Sequence, residues 1–132
     1  MPVMSKRQGN IIAPSHFNIQ PHELATARAV ADAGCNVEFT RRTWGNRVTS
    51  ADVVINGVVW EMKSPQASDN KAIERNLRKA SKQSCNVILD SQRMKGASDT
   101  EIERRLRTIS AHIKAIRRLW FINRNREIID IK

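Results

Sequence analysis

The chain is short of cysteine, of acidic residues and of long apolar runs, and each shortage excludes something. Its two cysteines, Cys35 and Cys85, lie far apart and form no C-x-x-C pair. That argues against a disulfide framework or a cysteine zinc site and for buried thiols in a reducing compartment. No apolar stretch approaches the ~18 residues a membrane-spanning helix needs. The segment Met1 to Asn10 is basic, but no apolar run of about 7–15 residues follows it, so a secretory signal is not expected. Acidic side chains number 13 against 23 Lys and Arg, for a net charge of +10 and a pI near 10.6. This balance excludes an acidic solvating chain and makes a polyanion the first partner to consider.

What is present suffices for a folded domain. A chain of 132 residues with a 40% hydrophobic fraction buries roughly two thirds of its unfolded surface. Residues 1–20 read as a loosely ordered arm with a short docked piece at Ile11–Ile12, and residues 21–132 as a single domain. Pro21 opens a helix striped by Leu24, Ala27, Val30 and Ala31, with Gly34 at its C-cap. Cys35 to Thr40 alternates as a strand, with Cys35, Val37 and Phe39 on one face. Two β-branched runs, Asp52–Ile55 and Val58–Lys63, flank Asn56-Gly57. Both turn residues tolerate the positive φ of a tight hairpin, so the runs should pair antiparallel.

Ser64-Pro65 stops the second strand of that hairpin. Asp69 or Asn70 then caps a helix with apolar Ile73, Leu77 and Ala80 and basic Lys71, Arg75, Arg78, Lys79 and Lys82. Val87 to Asp90 has the unbroken apolar pattern of a buried parallel strand. Ser98 and Glu101 form a capping box before a helix striped by Ile102, Leu106, Ile109, Ile113 and Ile116. Leu119–Asn123 and Glu127–Ile131 read as a terminal hairpin. Cys-Asn-Val occurs twice, at 35 and at 85, each time where a helix gives way to a strand. The fold class expected is α/β, a mixed sheet with helices on both faces.

The hairpin concentrates the chemistry. With the turn at Asn56-Gly57, Asp52 faces Glu61, and directly paired side chains have Cβ atoms ~5 Å apart. Lys63, two residues beyond Glu61, shares its face. Two carboxylates meeting within apolar strands cost several kcal/mol unless something positive joins them. Two hard oxygen ligands suit Mg²⁺ or Mn²⁺, and the ammonium can orient a water or offset developing phosphate charge. The same trio also fits an ion-pair cluster on a solvated sheet face.

Asp52 followed nine residues later by Glu61-Met62-Lys63 resembles the D…(D/E)-x-K core of the PD-(D/E)XK nuclease superfamily. The helix, three strands, helix and strand from Pro21 to Asp90 resemble that group's restriction-endonuclease-like αβββαβ core, here with an extra helix and a C-terminal hairpin. The stretches His22-Glu-Leu-Ala-Thr-Ala, Ala51-Asp-Val-Val-Ile-Asn-Gly, Trp60-Glu-Met-Lys-Ser-Pro and Asn76-Leu-Arg-Lys-Ala are similar to the CdiA C-terminal toxin domains of contact-dependent growth inhibition, tRNA-cleaving type. The resemblance implies metal-dependent phosphodiester hydrolysis with catalytic Glu23, Asp52, Glu61 and Lys63. Asp52 and Glu61 would hold a divalent ion, Mg²⁺ first and Mn²⁺ or Zn²⁺ as alternatives, with Glu23 contacting it directly or through water. It further implies action in the cytoplasm of a target cell and restraint by a cognate immunity protein, expected to be acidic against this basic chain.

Other residues extend the expected substrate path. Arg41 and Arg42, with Arg47, surround Trp44, a set able to grip an unpaired base. Lys71, Arg75, Arg78 and Gln83 lie on or beside the basic helix, where related nucleases place polar groups. Each also has a plainer reading as a solvated helix face, as Glu23 does as a first-turn acid favouring the helix dipole and His22 as a surface residue. Two rivals stand beside a tRNA nuclease: a metal-dependent DNA endonuclease of the same fold, and a non-catalytic nucleic-acid-binding module.

Overall fold

The computed structural model describes residues 8–14, 18–40 and 52–132, with Asp52 described by its backbone only. The elements follow in the order β1 (Ile11–Ile12), α1 (Pro21–Asp32), β2 (Val37–Thr40), β3 (Asp52–Ile55), β4 (Val58–Lys63), α2 (Asn70–Ser81), β5 (Asn86–Asp90), α3 (Asp99–Ser110), β6 (Arg118–Ile122) and β7 (Ile128–Asp130). The seven strands form one mixed sheet in sequence order, antiparallel from β2 to β4, parallel from β4 to β6, and antiparallel again at β7.

The hairpin turns where its chemistry dictates. Asn56 and Gly57 adopt φ of 52° and 81°, the left-handed pair that matches the strands' twist. Ile55 consequently faces Val58, and the ladder runs back to place Asp52 opposite Glu61. The short docked segment at Ile11–Ile12 is strand β1, parallel to β2. Gly9 leads into it: its N–H bonds the Ala31 carbonyl at 2.6 Å, and a Cβ there would fall 1.8 Å from the Cys35 carbonyl oxygen. Only glycine permits that approach of backbone to backbone.

Alternation along the strands divides the core in two. Val37, Phe39, Val53, Ile55, Trp60, Met62 and Ile88 pack with Ala27, Val30 and Ala31 of α1. Val87, Leu89, Leu119 and Phe121 point the other way, onto Ile73 and Leu77 of α2 and Ile102 and Leu106 of α3. The centre of strand β5, Val87 to Leu89, is apolar without interruption because helices cover both of its faces. Trp60 and Trp120 stack in the α1-side core with ring centroids 4.1 Å apart.

Three expectations are corrected. The two thiols are not both buried: Cys35 is partly buried and Cys85 is exposed. The strand starting at Cys35 begins its ladder at Val37, because the Cys35 N–H still bonds back to Val30. The third helix stops at Ser110, so Ile113 and Ile116 belong to no helical stripe. They are buried in tight turns, in which Ile113 N–H bonds Ser110 and Ile116 N–H bonds Ile113. The chain must reverse there so that β6 can lie parallel to β5. The Asp69 cap of α2 and the Ser98–Glu101 capping box of α3 stand as expected. No described helix is long and apolar enough to cross a membrane.

Candidate active site

The carboxyl ends of the parallel strands β4 and β5 point to one rim of the sheet, where open α/β sheets place their ligands. A cleft of about 230 Å³ opens there, lined by His22, Glu23 and Thr26 of α1, by Met62, Lys63, Ser64 and Pro65 at the end of β4, and by Asn76 of α2. α1 and α2 lie on opposite faces, so the cleft sits over the sheet's end and draws one wall from each.

Glu23 and Lys63, forty positions apart in sequence, thus meet in one cavity. Glu23 occupies the third position of α1, where its Oε1 accepts the Gln20 N–H at 2.8 Å. The first-turn capping role and the cleft location are therefore compatible: one oxygen caps the helix, and Oε2 makes no hydrogen bond among the described residues. Lys63, half-buried, likewise has no ion pair or hydrogen bond among them. Glu61 lies two residues back on the strand, fully buried, on the face that carries Val87 and Leu89. Asp52 lies directly across the ladder from it.

The residues that could hold a divalent ion here are the carboxylates of Glu23, Asp52 and Glu61, hard oxygen donors of the type Mg²⁺ prefers. The full burial of Glu61 takes it off the solvated sheet face that a surface ion-pair cluster would need. Among the described residues no group of three or more His, Cys, Asp or Glu is assembled to hold a metal; the Asp52 side chain falls outside that set.

The basic residues divide by their surroundings. Lys71 and Arg75 project from the exposed face of α2 with no ion pair among the described residues. Arg78, on the same helix, is held by Glu74 at 3.0 Å with both side chains about half exposed, a pairing of small energetic weight. Gln83 sits in the turn after α2, its N–H on the Ala80 carbonyl. Arg41, Arg42, Trp44 and Arg47 lie outside the described residues.

Three features at the rim were not expected from sequence. His22, whose plainer reading is a surface residue rather than a second catalytic group, lines the cleft. Asn76, the polar residue beside Leu77 in the apolar stripe of α2, forms its far wall and donates Nδ2–H to the Ala72 carbonyl at 2.8 Å. The third is Asp90, fully buried at the end of β5. Arg126 donates to both of its oxygens at 2.8 Å, and these bonds push the guanidinium pKa above its ordinary value, against the opposing effect of burial. Nothing local marks Asp90 and Arg126 as partners across 36 positions, since their pairing depends on β6 and β7 folding back beside β5.

Comparison with known proteins places this architecture. The matching chain of the CdiA-CT/CdiI toxin and immunity complex from Burkholderia pseudomallei aligns with a TM-score of 0.71 at 21% identity, over 94% of this chain and 99% of that one. At that identity the likeness is one of fold. No curated protein matches the sequence. The family model of the contact-dependent growth inhibition CdiA C-terminal domain matches residues 49–128, a span that runs from just before β3 to the first residue of β7 and contains the whole D…E-x-K hairpin. The chain belongs to that family and is a toxin domain of contact-dependent growth inhibition.

Proposed function

We propose that the domain is a metal-dependent endoribonuclease with a restriction-endonuclease-like core of the PD-(D/E)XK type, and that it cleaves tRNA in the cytoplasm of a target cell. The observation that carries this reading is the register that sets Asp52 against the buried Glu61, with Lys63 two residues on entering the cleft that holds Glu23. Asp52 and Glu61, joined by Glu23, would hold a divalent ion, Mg²⁺ before Mn²⁺ or Zn²⁺. Once bound, that ion would polarise the scissile phosphate and lower the pKa of a water.

The chain's own part is to position and to neutralise. Lys63 brings an ammonium to the cleft that can align the attacking water and offset charge developing on the phosphate oxygens. Lys71 and Arg75 on the exposed face of α2, with Arg78, Gln83 and the Arg41–Arg42–Trp44 segment, are the substrate contacts of this reading, and the +10 charge guides a polyanion toward the rim. The fold's likeness to a chain solved with its immunity protein supports a cognate immunity partner here, acidic so as to complement the basic surface.

Incubation of the purified domain with total tRNA and, separately, with plasmid DNA, with Mg²⁺ or with excess EDTA, tests the proposal. Cleavage of tRNA that needs the metal and disappears in Glu61→Gln is the expected result. Cutting of plasmid alone would move the substrate to DNA. Undiminished cleavage in EDTA would overturn the metal mechanism, and binding without turnover would leave a nucleic-acid-binding module.

A further inference from the structure

α1 carries Glu23 and His22 to the cleft, yet its buried face is built from small side chains: Ala27, Ala29, Val30 and Ala31. Such a face buries little area per residue and defines poorly how far the helix slides along the sheet. A polar cluster beneath its first two turns supplies that definition. Asp90, fully buried at the end of β5, accepts five hydrogen bonds. Oδ1 takes the Gln92 backbone N–H at 2.9 Å and one guanidinium nitrogen of Arg126 at 2.8 Å. Oδ2 takes the Thr26 hydroxyl at 2.7 Å, the Gln92 side-chain amide at 2.8 Å and the second Arg126 nitrogen at 2.8 Å.

Each side chain that donates to this carboxylate is tied to α1 as well. The Gln92 amide also reaches the His22 carbonyl at 2.9 Å, and Arg126 reaches the Ala25 carbonyl at 3.0 Å. Thr26 is itself an α1 residue. Arg126 sits in the β6–β7 turn at φ 63°, a left-handed position that turn chemistry alone would give to glycine or asparagine. The long cation that stands there instead reaches both the Asp90 carboxylate and the Ala25 carbonyl of α1. A bidentate arginine on a carboxylate fixes direction as well as distance, and a buried pair of this kind adds specificity of arrangement more dependably than stability.

We infer that Asp90, acting through Thr26, Gln92 and Arg126, is a positioning residue that holds the first turns of α1 so that Glu23 faces Lys63 across the cleft. Its catalytic consequence rests on the nuclease reading above; its structural content does not. A misplacement of about 1 Å at a reacting group can cost a hundredfold in rate, so a clamp on α1 sets turnover without touching substrate.

The variants Thr26→Val, which keeps the shape and removes the hydroxyl, Thr26→Ser, which restores it, and Gln92→Ala test the inference. Hydrogen exchange of the metal-free protein reads the clamp directly. The Leu24 amide, bonded to the Gln20 carbonyl at 3.0 Å, should exchange about tenfold faster in Thr26→Val and Gln92→Ala, as expected for the loss of one or two net hydrogen bonds. The Ile88 and Leu89 amides of β5 should hold their protection, and Thr26→Ser should behave as the parent. With tRNA, Thr26→Val should lose about a hundredfold in kcat with little change in KM, and Thr26→Ser should recover most of it. If Thr26→Val does not fold, Gln92→Ala carries the same readings. Unchanged Leu24 exchange overturns the clamp, and faster exchange with an unchanged kcat overturns its role in positioning. A parent domain that cuts no nucleic acid defeats the nuclease reading alone, because the exchange comparison still decides the clamp.

Discussion

Lys63→Ala separates a catalytic cation from a structural one, and the structure sets the size of each effect. Lys63 ends β4, half-buried, with no ion pair or hydrogen bond among the described residues. Truncating it therefore breaks no bond of the fold described here, and substitutions of that type change stability by about 0.5 kcal/mol or less. Lys63 is half-buried, so a small loss is expected rather than a gain. If the ammonium meets a phosphate in the bound state, its removal should flatten the log–log salt dependence of affinity by about 0.7 to 0.9. The larger effect belongs to turnover. A donor aimed at developing charge is worth about 2.7 to 4 kcal/mol, or roughly a hundred- to thousandfold in kcat. Single-turnover cleavage of tRNA at saturating enzyme, salt titration of binding by anisotropy, and a thermal melt read the three quantities on one preparation. Near-parental turnover would refute the argument, and so would a melting temperature that falls in step with activity, since the lysine would then serve the fold.

Other perturbations probe the frame around the site. Arg75→Ala, removing an exposed cation of α2, should weaken tRNA binding and flatten its salt dependence by about one phosphate contact; an unchanged slope would remove α2 from the substrate path. Gly9→Ala drives a Cβ into the Cys35 carbonyl, so the β1 segment should detach from β2 at a loss of about 2 kcal/mol. This would be seen as lost exchange protection at Val37, whose N–H bonds the Asn10 carbonyl at 2.8 Å. Burial pushes the Cys35 thiol pKa up, so less thiolate is present at a given pH. In timed alkylation Cys35 should react after the exposed Cys85 and should accelerate only as the pH is raised past the ordinary thiol range.

Much of this molecule was legible in its sequence wherever one local interaction decided the outcome. Asn56-Gly57 admits one kind of turn, and that turn dictates the pairing back to Asp52 and Glu61. Asp69 and Ser98 begin helices because their side chains satisfy N–H groups three residues on. The unbroken Val-Ile-Leu of β5 announces a strand covered on both sides. The end of α3 was misplaced because Ile113 and Ile116 continue its apolar period, while the tertiary need to return toward β5 turns the chain at Ser110.

The sequence by itself thus determined the elements, the hairpin register and the excess of positive charge, all properties of residues within a few positions of one another. Only the tertiary structure decided which distant residues share the rim. The crossing of α1 over the sheet brings Glu23 and His22 to Lys63, and α2 brings Asn76 from the opposite face. The return of β6 and β7 beside β5 carries Arg126 to Asp90. The physical reason is that side-chain period assigns a residue to a face, whereas the packing of whole elements assigns it to a neighbour.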